Sequence, residues 1–342
     1  MRFASSKSHV ASLKSHFASS NPRLWTRICG SIFFLAAPAW LPAQSDSTRD
    51  LQPATRASYI PHRVYDTRKK EFIDFEELVA RIVRADLVFV GEQHDDPATH
   101  RMELALLEGI ARRRDSVVLA LEMFERDVQP LLDRYVSGSV AEDSLLAGAR
   151  PWKNYSSDYR PLVELARGRG WAVVASNVPR SLASMVSREG LEALDTLSAE
   201  RRHHAASDLS CPEDRYYRRF TDAMGDLTSH GANGTPEEQR ARVQRMYLAQ
   251  CVKDETMGES VAAAWRPGRL VIHYNGSFHT DFGLGTAERA RRRMGGGQPK
   301  MIVVTAIPVR DLDRVKPSRE ERQRADYLLY VLAPAKQPGA TR

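Results

Sequence analysis

Leu87-Val88-Phe89-Val90-Gly91-Glu92-Gln93-His94-Asp95-Asp96-Pro97 is the stretch from which the fold can be read. Four apolar residues run without interruption, as in a strand buried on both faces rather than one that alternates between core and water. Ionisable residues follow at once. Asp96-Pro97 then offers a helix cap and a first helical residue with its φ already set. The same grammar recurs along the chain. Further apolar, β-rich runs lie at Val117–Leu121, Ala172–Ser176, Leu270–Tyr274, Met301–Ala306 and Tyr327–Leu332. Helical periodicity fills Pro97–Arg113, Val128–Val136, Tyr159–Arg167 and Thr286–Arg293. Strands alternating with helices predict an α/β fold, a largely parallel β-sheet flanked by helices.

One connection breaks the rhythm. From Ser181 to Ala264 no strand signal occurs and helical patterns dominate, a span too long for an ordinary crossover. It predicts a smaller all-helical subdomain, about 181–264, inserted into an α/β domain of residues 59–333. Thr235-Pro236-Glu237-Glu238 has the form of a helix start. The Gly-containing loop at residues 229–234 divides the span in two.

The overall charge of +7 suggests nucleic acid until it is located. Residues 1–43 hold Arg2, Lys7, Lys14, Arg23 and Arg27 and no acid, leaving 45 basic against 43 acidic residues elsewhere. The near-neutral remainder disfavours nucleic-acid binding. A basic stretch, an apolar core from Ile28 to Ala37 and small residues up to Ala43 read as an export signal, with cleavage expected after Ala43, or alternatively after Ala39. Cys29 precedes the apolar core and is misplaced for lipidation, so an exported protein, periplasmic or secreted, is expected rather than a lipoprotein. Residues 44–58 and 334–342 are polar and expected to be a disordered linker and tail. No apolar run reaches the ~20 residues of a spanning helix. Cys211 and Cys251 remain in the mature part, where an oxidising compartment permits a disulfide and burial permits two free thiols.

Ligands of open parallel sheets bind beyond the C-terminal ends of the strands. The residues there are Glu92, His94 and Asp96 after the first run, Glu122 and Glu125 after the second, Asn177 and Arg180 after the third, and Asn275 and His279 after the fourth. His100 shares a helix face with Leu104, Leu107 and Ala111 and therefore points inward. Glu122 abuts a buried strand and must be paired, protonated or coordinating, with a salt bridge to Arg126 or Arg180 as the structural expectation. His273 lies within a strand and reads as core. No nucleophile elbow, phosphate loop or His-x-x-x-His pair is present, which weakens serine-hydrolase, nucleotide-binding and zincin readings. Carboxylates and histidines from separate strands can still build a metal site.

Gly91-Glu92-x-His94-Asp95 with His100, then Glu122-Met123-Phe124-x-Arg126-x-x-Gln129, resembles the ChaN-like haem-binding uptake proteins of the Tiki and erythromycin-esterase-like superfamily. Trp152-x-x-Tyr155, Tyr159-x-Pro161, Asn177-x-Pro179-Arg180, Gln250-x-x-x-Asp254-Glu255-x-Met257 and Gly276-x-x-His279 continue the series in order, from about Val64 to Ala333. The resemblance implies a parallel-sheet domain with a smaller helical part, and haem bound between them, at a dimer interface, in bacterial iron uptake. Its implied partners are haem, a second copy of the chain and an outer-membrane uptake system. Haem needs axial ligands and an apolar slot. The helical span offers Tyr216, Tyr217, Met224, His230 and Met246; Tyr216, Tyr217, His230, His100 and Arg180 are the expected cofactor-binding residues. The wider superfamily supplies an alternative, a metal-dependent hydrolase holding a divalent ion with Glu92, His94, Glu122 and His279.

Overall fold

The computed structural model describes residues 59–228, 235–295 and 299–334. The leader, the linker, His230 and all but the first residue of the C-terminal tail lie outside these residues.

The chain runs β1 (His62–Asp66), β2 (Glu71–Ile73), α1 (Phe75–Ile82), β3 (Leu87–Glu92), α2 (Pro97–Ala111), β4 (Val117–Glu125), α3 (Gln129–Val136), α4 (Glu142–Ala149), α5 (Arg160–Gly168), β5 (Ala172–Asn177), α6 (Arg180–Glu189), α7 (Ala199–Arg202), α8 (Arg215–Thr228), α9 (Pro236–Ala264), β6 (Leu270–Gly276), α10 (Gly285–Arg293), β7 (Met301–Val309), α11 (Glu321–Arg324) and β8 (Tyr327–Leu332). Eight strands form a single sheet in the order β2-β1-β8-β7-β3-β6-β4-β5. Strands β8 through β5 in that order are mutually parallel, while β1 pairs antiparallel with both β2 and β8. The expected α/β fold with a largely parallel sheet is the one observed.

Residues of β3, β4 and β6 are buried throughout, which is why their sequences are continuous apolar runs. One face of the sheet packs on α1, α2 and α5 through Val88, Val90, Leu106, Ile110, Leu119 and Leu162. The other packs on α9 and α10 through Leu87, Phe89, Val118, Val261, Ala287 and Ala290. The two anticipated helix starts are present. Asp96 accepts from the Thr99 amide, and Thr235 forms a reciprocal capping box with Glu238. Between β5 and β6 the described residues contain helices and turns and no strand.

Cys211, just before α8, is disulfide-bonded to Cys251 of α9. Below it, Glu255 is fully buried and meets the guanidinium groups of Arg289, Arg292 and Arg293 of α10 at 3.0, 2.7 and 2.5 Å. The disulfide and this charge cluster fix α9, which carries functional side chains across the ends of the strands.

Candidate functional site

The crossing from β3 to α2 and from β6 to α10 brings two histidines to the C-terminal edge of the sheet. His94 Nδ1 lies 2.6 Å from Glu92 Oε1, which also accepts the Tyr159 hydroxyl at 2.7 Å. Trp152 meets the His94 ring edge-on at 4.8 Å, and Asn154 donates to the His94 carbonyl. Gly276 makes room for this ring, because a Cβ there would lie 2.7 Å from His94 Nε2. His279 is buried between two carboxylates. Its Nδ1 is 2.8 Å from Asp254 and its Nε2 is 3.4 Å from Glu122. The second Glu122 oxygen accepts the Gly276 amide at 2.8 Å. Asp254 in turn accepts the hydroxyls of Tyr216 at 2.6 Å and Thr286 at 2.8 Å.

Charge balance follows from these contacts. Burial alone would push His279 down, but Glu122 and Asp254 hold it up to about 10. Burial would raise Glu122, yet the His279 and His94 charges and the Gly276 amide hold it well below the usual carboxylate range. Asp254 is lowered for the same reason, with Arg289 and the Tyr216 hydroxyl assisting His279 against burial. His94 is desolvated but raised on balance by Glu92 and Glu122. Both histidines thus face one opening with a carboxylate behind each ring. That arrangement can hold or transfer protons at two points of a bound molecule.

The opening is a cleft of about 670 Å³, with His94, Glu122, His279 and Asn177 on its floor side and Trp152, Lys153, Arg180, Gln250 and Lys253 around it. Arg180 and Arg150 converge on Glu125 at 2.5 and 2.8 Å. Arg126 pairs with Glu259. Neither arginine expected near Glu122 therefore reaches it, since both are taken by other acids and His279 stands in their place. A second groove of about 450 Å³ adjoins the cleft at Arg180, Gln250 and Lys253, and is lined by Ala183, Phe220, Met224, Met246 and Ala249 from α6, α8 and α9.

Of the residues expected to act, Glu92, His94, Glu122 and His279 come together. His100 is buried behind Glu92, with Nδ1 3.0 Å from Glu103. Tyr216 is fully buried with its hydroxyl on Asp254, whereas Tyr217 is partly exposed and packs edge-on against Tyr247. Arg180 lies on the rim. Asp254, Gln250, Lys253 and Glu103 had no role assigned from sequence. The i, i+4 spacing of Gln250 and Asp254 and the i, i+3 spacing of His100 and Glu103 were the available signals.

The mostly parallel sheet, with paired histidines and carboxylates beyond its strand ends, defines an α/β protein whose cleft lies where ligands of such sheets bind. The chain belongs to the ChaN family of haem-binding uptake proteins in the Tiki superfamily, whose family model matches residues 78–290. Among solved structures it is similar to ChaN of Campylobacter jejuni, described as binding haem cofacially, with a TM-score of 0.57 and 16% identity over 80% of this chain and 97% of that one. Fainter likenesses are to a Bacillus cereus protein (TM-score 0.41, 11% identity, 75% of this chain and 90% of that one) and to an erythromycin esterase mutant (TM-score 0.41, 12% identity, 80% and 83%). Comparison with curated protein sequences gives no match.

Proposed function

We propose that this protein binds haem as an exported component of iron acquisition, with the porphyrin in the groove between α6, α8 and α9. The observation that carries this is the composition of the groove: apolar walls from Ala183, Phe220, Met224, Met246 and Ala249, with Arg180 and Lys253 where it opens into the cleft. Haem is a flat apolar ring with two carboxylates on one edge, and these walls and cations suit the two parts. Thioether and phenol side chains are known haem-iron ligands, so Met224, Met246 and the nearby Tyr217 are the donors this chain offers. Tyr216 serves instead to hold Asp254. When bound, haem supplies the iron to be acquired. The chain's own residues orient the ring and exclude water from one of its faces. A groove on one surface leaves the other face of the ring open, which a second copy carrying its own haem would cover, in keeping with the cofacial arrangement described for the C. jejuni protein. Export through the leader would place the protein where an outer-membrane uptake system could deliver or collect haem.

The test is haem titration followed by Soret absorbance. Wild-type protein should give a saturable band. Met246→Ala or Tyr217→Phe should shift it, and the pair Arg180→Ala with Lys253→Ala should weaken binding roughly tenfold or more, the cost of ~1.4 kcal/mol. A titration that never saturates, or one indifferent to all four changes, rejects the reading.

A second reading rests on a different observation, the two carboxylate-backed histidines facing one polar cleft. In it the protein is a hydrolase, with His94 and His279 handling protons, and Glu92, His94, Glu122 and His279 as the donors for a divalent ion if metal assists. Hydrolysis of activated esters that disappears in His279→Asn and His94→Ala would support it.

A further inference from the structure

Most buried acids of this fold have a cationic partner in plain sight. Glu255 has three arginines, Asp281 has Arg324, Glu125 has Arg150 and Arg180, and Glu122 has the His279 imidazolium. Among the described residues, Glu92 and Glu103 have no arginine or lysine, only His94 and His100. Both side chains are completely buried. One oxygen of each, Glu92 Oε2 and Glu103 Oε1, meets no N–H or hydroxyl donor, and the two carboxyl groups lie within hydrogen-bonding reach of each other. Two such carboxylates side by side are costly in a protein interior unless positive charge stands between them.

His100 shows where that charge belongs. Its Nε2 is 3.2 Å from the His94 carbonyl, an oxygen that can only accept, so Nε2 carries the hydrogen. Asp158 lies on the same side, 3.6 Å from Nε2. The other nitrogen, Nδ1, is then the one with a lone pair in the neutral ring. It faces Glu103 Oε2 at 3.0 Å and Glu92 Oε2 at 3.6 Å. A ring oriented by a carbonyl and a carboxylate on one nitrogen, with the other aimed at acids, is the outer-shell arrangement that metal-ligating histidines use. Donor atoms of all three residues lie within 4.8 Å of one another. Metal–donor bonds of ~2.0–2.2 Å hold neighbouring donors roughly 3 Å apart, so only small contraction is required.

We propose that Glu92, His100 and Glu103 form a buried site for a divalent transition-metal ion, of the Mn²⁺ or Zn²⁺ type. One imidazole and two carboxylates, with no thiolate, are the donor chemistry for that class. The site is separate from the groove and does not depend on the haem reading; it shares Glu92 with the donor set of the hydrolase reading. It would tie α2 to β3. It would also fix the Glu92 carboxylate, whose Oε1 is the group that orients His94 at the cleft.

The full chain, stripped with chelator and dialysed against MnCl₂ or ZnCl₂, should retain one equivalent of metal by elemental mass spectrometry. Glu103→Gln and His100→Asn should each weaken retention by ~100-fold or more, beyond the ~10–100-fold cost of losing an outer-shell partner. His279→Asn, which touches none of the three donors, should leave retention by the folded protein unchanged despite its lower stability. Should a variant fail to fold, anomalous diffraction from wild-type crystals soaked in MnCl₂ decides, with a peak expected between Glu92, His100 and Glu103. Retention lost in His279→Asn but kept in Glu103→Gln, an anomalous peak at His94 and His279, or no metal in any form overturns the proposal.

Discussion

Replacing His279 by asparagine removes the one cation that separates Glu122 from Asp254. The ring is buried, and the two carboxylates hold its pKa up to about 10 from an ordinary 6.5. At ~1.36 kcal/mol for each pKa unit, a rise of that size corresponds to at most about 5 kcal/mol of folding stability. Removing one member of a buried ion pair costs ~3–5 kcal/mol in practice, so that is the loss expected near pH 6.5. The sign with pH follows from the raised pKa: folded protein holds the proton that unfolded protein releases. The contribution is therefore fully present below pH 6.5, shrinks as pH rises, and is gone above about 10. Urea unfolding of wild type and variant at pH 6, 8 and 10 measures the difference directly, because titrating groups remote from Glu122, Asp254 and His279 cancel between them. The gap between the two proteins should narrow steadily across that range. In the variant, Glu122 and Asp254 are left to take up protons, so its own stability should improve toward pH 5. A gap below about 1 kcal/mol at pH 6.5, or one that stays constant to pH 10, would refute the description of His279 as a buried imidazolium.

Reducing the Cys211–Cys251 bond should lower stability by about 4 kcal/mol, from the entropy of a loop closed over a sequence separation of 40; melting with and without reductant reads it. Gly276→Ala should fold, since φ there is −56° and suits alanine, but the new Cβ displaces the His94 ring. His94 would lose Glu92 and its pKa should fall toward 6.5, visible as a shifted ring titration by NMR. Glu255→Gln should cost ~3–5 kcal/mol by denaturant unfolding, because buried Arg289 then loses its direct ion-pair partner and keeps only the field of Asp254.

The sheet was legible because its central strands are covered on both faces and must therefore be continuously apolar. β1 and β2 escaped notice for the opposite reason. At the sheet edge, His62–Asp66 mixes Arg63 and Asp66 with its apolar residues, and Glu71–Ile73 is three residues long. Capping residues such as Asp96 and Thr235 could be read because their action spans three residues. Pairings across the fold could not. Glu122 is expected from sequence to pair with Arg126 or Arg180, yet its partner is His279, because β6 lies beside β4 in the sheet. The same limit applies to Tyr216 and Tyr217. Adjacent on α8, they point to different places, one sealed against Asp254 and the other partly exposed.

The position of β6 has a consequence for how the chain acquires its structure. β6 lies between β3 and β4, which have no direct contact as sheet neighbours. It is also made late, after the whole helical span from α6 to α9. A chain emerging from the ribosome therefore carries β3 and the β4–β5 pair as separate pieces, each with an open edge, until Leu270–Gly276 arrives to join them. Closure across so long a loop is slow, and unpaired edges in the interval invite association between chains. Fragments ending before Leu270 should aggregate rather than form a smaller soluble domain, and refolding should be limited by insertion of this one strand. That insertion also delivers Gly276 and His279, so the sheet and the cleft are completed in the same event.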